Sequence, residues 1–206
     1  MNVMKSVAPL IFKKGVKGLT MDTVAKSLGI SKRTLYEIFE SKDEMIIAAF
    51  TYMHENHRRR MQELLSGIDN VMEAMVKAFR LHLEMMMETG PDLFRDMDEY
   101  YPKLRPEFEK GLKNLLNGMT KAFELGVQQG MFRPNINYRI IMRMFLIQME
   151  SLRRMEYIFP KDVTLEEIYE TMCSAFLRGI ATASGLEILE QHTNQTIATI
   201  VAPTTE

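Results

Sequence analysis

Apolar residues recur every three or four positions along most of this chain, and that spacing predicts α-helices. The alternating pattern and hairpin turns of β-strands are absent, and the seven prolines and eleven glycines are thinly spread. We therefore predict an all-α fold of about nine helices. The long helices are expected to cover residues 2–14, 42–65, 71–88, 107–129, 141–159 and 165–183.

Prolines and capping residues set the expected ends of these helices. Pro9 lies inside the first one, where it predicts either a kink or a start near Pro9 itself. Capping boxes at residues 41–44 and 164–167 mark the starts of two long helices. Three prolines divide residues 91–106 into one or two short helices, and the tail after His192 is expected to be poorly ordered.

Two short helices joined by a tight turn are predicted between residues 20 and 40. Thr20 is a good N-cap for the first helix, and Ala25 is small where the second helix must cross closely. Gly29 follows at the point where a helix that stops abruptly needs the left-handed conformation. Ser31 can cap the second helix. This arrangement predicts a helix-turn-helix.

The second short helix has two different faces. Leu35 and Ile38 are expected to point inward, which leaves a basic, hydroxyl-rich face for solvent or DNA. That face consists of Lys32, Arg33, Thr34, Tyr36 and Glu37. An ordinary helical hairpin is the alternative, but such a hairpin has no reason to expose a surface of this kind.

Charge is divided unevenly along the chain. Residues 1–42 hold eight Lys and Arg against three Asp and Glu, whereas the whole chain has a net charge of −1. The rest of the chain is therefore acidic. A basic end on an acidic body suits a protein that meets phosphate at one end, although a solvated charged face would give the same count.

Composition bounds the class of protein. The 206 residues, 46% hydrophobic and 26% charged, are typical of a globular protein. No apolar run approaches the ~20 residues of a membrane span and no signal-peptide pattern is present, so we expect a cytoplasmic protein without membrane contacts. The single cysteine, Cys173, excludes an intrachain disulfide and is expected to be a small buried hydrophobe.

Residues that could carry catalysis or bind metal are few. The chain has no nucleophile elbow, phosphate-binding glycine loop or zinc motif, which argues against an enzyme and against a cofactor. His54 and His57 have a metal-ligand spacing, but no nearby carboxylate or cysteine pattern completes a site, so no metal is expected. Residues 58–60, three consecutive arginines, point around a helix and are expected to be solvated.

The N-terminal motifs closely resemble those of the TetR/AcrR family of bacterial transcriptional repressors. The residues that carry the resemblance are Gly15-Val-Lys-Gly-Leu-Thr-Met21, Val24-Ala25, Leu28-Gly-Ile-Ser-Lys32, Thr34-Leu-Tyr36, Phe39 and Ser41-Lys42. Beyond residue 45 the resemblance lies in the number, lengths and order of the helices. It implies a DNA-binding domain over residues 1–44 and a ligand-binding and dimerisation domain over residues 45–206. It also implies a homodimer formed through the last two long helices.

The resemblance further implies which residues contact DNA. They are Thr20, Ser31, Lys32, Arg33, Thr34, Tyr36 and Lys42. Thr20, Tyr36 and Lys42 occupy positions where the family holds the DNA backbone, while residues 32–34 lie where bases are approached. The planar fork of Arg33 suits guanine O6 and N7, but a phosphate contact is an equal alternative.

A ligand pocket is expected inside the C-terminal domain. Nineteen methionines suit a cavity that adapts to varied apolar ligands. By resemblance, the segments that line such pockets contribute Met85, Met86, Phe94, Tyr101, Phe108, Leu112, Met119, Phe145, Gln148, Met149 and Leu152. For any one of these residues, plain core packing is the alternative.

The resulting hypothesis is a sequence-specific transcriptional regulator. It would bind a palindromic double-stranded operator as a repressor and would be released by a small apolar or amphipathic effector that the sequence does not identify. The alternative is a DNA-binding regulator or activator that takes no small-molecule ligand.

Overall fold

The computed structural model describes residues 3–89, 93–102, 105–152, 159–160 and 162–191. The helices in this part are α1 (Met4–Lys14), α2 (Met21–Leu28), α3 (Lys32–Ile38), α4 (Lys42–Leu65), α5 (Val71–Glu88), α6 (Leu93–Tyr100), α7 (Arg105–Gln128), α8 (Tyr138–Leu152) and α9 (Leu165–Ile180). Residues 183–191 are helical as well. The all-α prediction is confirmed.

The chain divides into two compact units. Unit 1 comprises Met1–Leu64 and Glu84–Gly111, and unit 2 comprises Leu65–Leu83 and Leu112–Glu206. Helices α5 and α7 each contribute residues to both units. The domain boundary predicted after residue 44 falls inside α4. No helix in the described ranges is long and apolar enough to cross a lipid bilayer.

The N-termini of α1 and α9 test the predictions made for Pro9 and for the second capping box. Helix α1 begins five residues before Pro9 and continues through it to Lys14, so the alternative of a start at Pro9 is wrong. Pro9 is exposed. The predicted capping box before α9 is confirmed, because the Thr164 hydroxyl accepts a bond from the Glu167 amide and the Glu167 carboxylate accepts one from the Thr164 amide. The tail after His192 lies outside the described residues.

Only half of the capping box predicted at residues 41–44 is present. The Ser41 hydroxyl accepts a hydrogen bond from the Glu44 amide at 3.1 Å, as predicted. The Glu44 carboxylate, however, accepts from the amide of Glu40 rather than from that of Ser41. The long side chain of Glu44 reaches one residue further back along the chain, and it still satisfies a backbone donor near the helix start.

The core of unit 1 joins the first four helices with α6. Ile11, Leu35 and Ile46 have no exposed surface, and Leu93 from α6 is equally buried. Each such side chain contributes about 1.5–3 kcal/mol to folding through burial. The inward prediction for Ile38 is wrong, because this residue is 41% exposed. Helix α3 ends at Ile38, and Phe39 takes the core position instead.

The core of unit 2 is aromatic. Phe145 packs on Phe176 with ring centroids 4.4 Å apart and on Phe79 at 5.2 Å. Phe123 stacks on Tyr138 at 4.6 Å with an interplanar angle of 19°. Such contacts add to the large apolar area that each ring buries.

Helix α8 differs from the prediction in which of its faces is buried. The helical spacing of the sequence places Met144 and Gln148 on one face with Phe145 and Leu152, and that face is predicted to be the inner one. In the structure the buried residues are Met142, Phe145, Met149 and Leu152, whereas Met144 and Gln148 are exposed. Ile140, Met144 and Ile147 form an exposed apolar stripe, with 57%, 55% and 65% of their surfaces accessible. Because α8 is apolar on two faces, spacing alone does not show which one packs inside the chain.

Two glycines near the end of unit 2 have different surroundings. A Cβ at Gly185 would collide with the backbone carbonyl oxygen of Met131. Two hydrogen bonds lie beside this close approach. The Thr182 amide donates to the Met131 carbonyl, and the Gly185 amide donates to the Thr182 hydroxyl. Gly179 in α9, by contrast, is exposed and has open space where a side chain would stand.

We expect Cys173 to be unreactive in the folded protein. It is 6% exposed, which confirms the predicted burial, and desolvation raises the pKa of its thiol to about 12. The thiolate that alkylating reagents need is therefore scarce at pH 8. Mass spectrometry after iodoacetamide treatment should show negligible labelling of the native protein and full labelling in denaturant. Rapid native labelling would contradict the buried position.

Candidate nucleic-acid interface

The helix-turn-helix is built from α2, a three-residue turn and α3. Thr20 starts α2 as its N-cap, and its hydroxyl accepts a bond from the Thr23 amide at 3.1 Å. Gly29 ends α2 in the left-handed conformation with φ of 67°, and its amide bonds back to the carbonyls of Ala25 and Lys26. A residue with a Cβ is strained at such an angle, so glycine permits the sharp turn.

Ser31 starts α3 and orders its first turn. Its hydroxyl oxygen accepts a bond from the Thr34 amide at 3.0 Å and lies 2.8 Å from the Thr34 hydroxyl. Leu35 is the one fully buried residue of α3. The predicted turn, both caps and the inward position of Leu35 are therefore confirmed.

The outer face of α3 presents a dense group of hydrogen-bonding side chains. Six of the seven predicted DNA-contacting residues are exposed, and Lys42 is partly buried. All seven belong to unit 1. Tyr36 is 47% exposed. This helix is short, capped and polar on its outer face, which suits insertion into the major groove.

Each predicted base-contacting cation on α3 has an acidic neighbour. The Lys32 ammonium lies 2.8 Å from the Asp22 carboxylate, and this hydrogen bond raises the pKa of Lys32. The Arg33 guanidinium lies 3.2 Å from the Glu37 carboxylate, with 90% of the Arg33 side chain exposed. Exposed pairs of this kind contribute little to stability and are readily exchanged for phosphates or base edges.

Lys42 is held at the start of α4. Its ammonium donates a hydrogen bond of 2.7 Å to the carbonyl oxygen of Val16, in the loop between α1 and α2. An ammonium has three donors, so two remain for another acceptor such as a DNA phosphate. The amide of Val16 in the same loop donates a hydrogen bond to the Asp96 carboxylate on α6, a contact that nothing in the sequence indicates.

The predicted pocket residues fall in both units. In unit 1, Met86 and Tyr101 are buried and Met85 is partly buried. Tyr101 packs in the core with the helix-turn-helix, where burial raises its pKa to about 12. The side chains of Phe94 and Phe108 lie outside the described part of the chain.

The remaining pocket predictions belong to unit 2. Phe145, Met149 and Leu152 are buried and Met119 is partly buried, while Leu112 and Gln148 are exposed. An open cleft of about 750 Å³ lies between the end of α7 and the start of α8. It is lined by Thr120, Phe123, Glu124, Val127, Gln128 and residues 134–139, none of which was predicted for the pocket.

The histidines and arginines of α4 form a polar surface. His54 is exposed and His57 is partly buried, and desolvation, together with the nearby charges of His54 and Arg60, lowers the pKa of His57. Arg60 binds the Glu84 carboxylate at 2.7 Å, and Arg59 lies 3.9 Å from Glu63. In the described residues, no group of three or more His, Cys, Asp or Glu side chains has the geometry to hold a metal ion.

Sequence reasoning missed three acidic partners in this region. Glu37 stands four residues after Arg33, so its ion pair is readable from helical spacing. Asp22 meets Lys32 across two helices, and Asp96 meets the loop at Val16 from 80 residues away. Only the folded chain brings the last two pairs together.

A basic, capped recognition helix on a tight helix-turn-helix defines a DNA-binding protein of the helix-turn-helix class. Residues 8–49 match the family model described as bacterial regulatory proteins, tetR family. The N-terminal part of the chain is therefore similar to the DNA-binding segment of tetR-family bacterial regulatory proteins.

Solved structures share the fold over most of the chain. A transcriptional regulator from Cytophaga hutchinsonii superposes with a TM-score of 0.68 and 16% identity, over 87% of this chain and 93% of that one. A protein from Saccharomonospora viridis, described as a transcriptional regulator in complex with choline, superposes with a TM-score of 0.71 and 17% identity. The match covers 87% of this chain and 96% of that one. FadR from Bacillus subtilis, in complex with stearoyl-CoA, superposes with a TM-score of 0.66 and 16% identity. The match covers 86% of this chain and 97% of that one. None of the curated proteins matches the chain significantly in sequence.

Proposed function

We propose that this regulator is a homodimeric repressor that releases a palindromic operator when a small apolar or amphipathic molecule binds its C-terminal domain. The observation that carries the proposal is the outer face of α3, whose exposed cations are held only by weak surface ion pairs. Arg33 and Lys32 would approach bases, while Thr20, Tyr36 and Lys42 would hold the DNA backbone.

The exposed stripe on α8 supports the dimer. Ile140, Met144 and Ile147 are each more than half exposed in the single chain. Three large apolar side chains exposed along one face of a helix are unfavourable in water and are typical of a protein interface. A homodimer carries two recognition helices, which suits a palindrome whose half-sites lie about one helical turn, ~34 Å, apart.

The aromatic interior of unit 2 supports an effector with apolar character. Rings from α5, α7, α8 and α9 meet there, including Phe79, Phe123, Phe145 and Phe176. Aromatic faces attract both hydrocarbon chains and quaternary ammonium groups. Choline and stearoyl-CoA, which two of the similar structures contain, are therefore the first two effectors to test.

Selection of bound duplexes from a random pool tests the proposal. The purified protein should enrich one palindrome with half-sites about a turn apart at near-physiological salt. The selected operator then serves as the probe for release by choline, stearoyl-CoA and related compounds. Enrichment without release by any effector would favour a regulator that takes no ligand, whereas binding without sequence enrichment would overturn the proposed operator.

A further inference from the structure

Helix α6 brings an acidic side chain into the interior of unit 1. Asp96 is 3% exposed and is the one buried charged side chain in the described part of the chain. Leu93 and Tyr101, on either side of it in sequence, belong to the apolar core of the same unit. A carboxylate in such a place is costly unless hydrogen bonds compensate for the lost water.

The compensating bonds come from the loop between α1 and α2. The Oδ2 atom of Asp96 accepts a hydrogen bond from the Val16 amide and another from the Lys17 amide, each at 3.1 Å. The ring of Tyr100, also on α6, lies 5.9 Å from the Lys17 ammonium. One charged oxygen thus fixes two successive peptide groups of a loop that leads directly into the helix-turn-helix.

Val16 also binds a cation, through its backbone carbonyl. The carbonyl of Val16 accepts the 2.7 Å bond from the Lys42 ammonium. Val16 therefore stands between a buried carboxylate, which binds its amide, and an ammonium, which binds its carbonyl. Any movement of this loop would move the anchor of Lys42.

We propose that Asp96 is a positioning residue for DNA binding, which acts through the backbone of Val16 to place the Lys42 ammonium against a DNA phosphate. The inference rests on the proposed function, because it requires a specific operator complex. Helix α6 would thereby raise the affinity for DNA, although it does not form part of the DNA-binding surface.

The effect of removing the Asp96 carboxylate on DNA affinity tests the proposal, because electrostatic repulsion and loss of positioning predict changes of opposite sign. Removal of a carboxylate from a DNA-binding protein reduces its repulsion from phosphate and should strengthen binding. Loss of a positioning contact should weaken binding instead, and should do so only through Lys42.

The experiment measures operator affinity over a series of salt concentrations for full-length variants. Asp96→Ala is expected to bind roughly tenfold more weakly, the size of one lost charge-assisted contact, and with a salt slope shallower by about one phosphate. Asp96→Asn should lose less, because its amide oxygen still accepts both bonds. Lys42→Met should resemble Asp96→Ala, and the double variant Asp96→Asn with Lys42→Met should bind no more weakly than Lys42→Met alone.

Glu99→Gln is the matched control, because it removes an exposed carboxylate from the same helix. It should leave affinity unchanged or slightly raised. Unchanged or tighter binding by Asp96→Ala would overturn the proposal, as would additive losses in the double variant or a lower Tm with an unaltered salt slope. Should Asp96→Ala not fold, Asp96→Asn takes its place: a neutral amide oxygen is a weaker acceptor than a carboxylate, so a loss smaller than that of Lys42→Met, and absent when Lys42 is already replaced, supports the proposal. Tighter or unchanged binding by Asp96→Asn overturns it. A wild-type protein without operator preference would overturn the proposed function instead.

Discussion

Replacement of Ile147 with glutamate is expected to separate the protein into monomers and to weaken operator binding by about 100-fold or more. Ile147 is 65% exposed in the single chain and continues the apolar stripe of Ile140 and Met144. A dimer would bury this position, so Ile147→Glu would bury a carboxylate without a partner. A monomer binds one half-site and forfeits the avidity of linked sites, typically 10²–10⁴-fold.

Light scattering after gel filtration and titration of the selected operator measure the two effects together. Val163→Glu is the control, because it places the same charge at an aliphatic residue that is also exposed, at 37%, but lies outside α8. This variant should remain dimeric and should bind DNA normally. A dimeric Ile147→Glu protein with full operator affinity would exclude the α8 stripe as the interface.

Replacement of Arg33 with alanine is expected to cost roughly 1–3 kcal/mol of operator affinity and to relax the preference at one base pair of each half-site. The Arg33 side chain is 90% exposed and its partner Glu37 lies 3.2 Å away. An exposed pair of this kind is exchanged at little cost when a guanine offers O6 and N7 to the guanidinium fork. Arg33→Lys should recover little, since a single ammonium does not reproduce the fork.

Parallel titrations with the operator and with its single-base variants decide between base and phosphate contact. Loss confined to one base pair supports direct readout, whereas an equal loss on every sequence with a reduced salt slope indicates a phosphate contact. Arg139→Ala, which removes an exposed arginine at the start of α8, should leave all these affinities unchanged.

The local elements of this fold are readable from the sequence because their causes are local. Thr20, Gly29, Ser31 and the 164–167 capping box act within a few residues of themselves, and the structure has each in its expected role. Predicted helix ends at Leu65, Glu88 and Lys14 agree with the structure for the same reason.

The features that could not be predicted from the sequence depend on distant parts of the chain or on other molecules. Asp96 reaches a loop 80 residues away, and nothing near it in sequence indicates that contact. Helix α8 has apolar residues on both sides, so helical spacing does not show that Met144 is exposed while Met142 is buried. Ile38 was expected inside by spacing, yet Phe39 fills the place where the helix ends. The DNA contacts and the effector pocket remain predictions, since their geometry involves partners.

Tolerance to substitution at the two glycines near the end of α9 can report on a second copy of the chain. Gly185 should reject every side chain, because the carbonyl of Met131 occupies the space within one molecule. Gly179 has open space in the single chain, so alanine there should be accepted and should even stabilise the helix by roughly 0.5–1 kcal/mol. If a variant library nevertheless rejects alanine at position 179, the obstacle belongs to a neighbouring molecule, and α9 marks where two backbones cross closely.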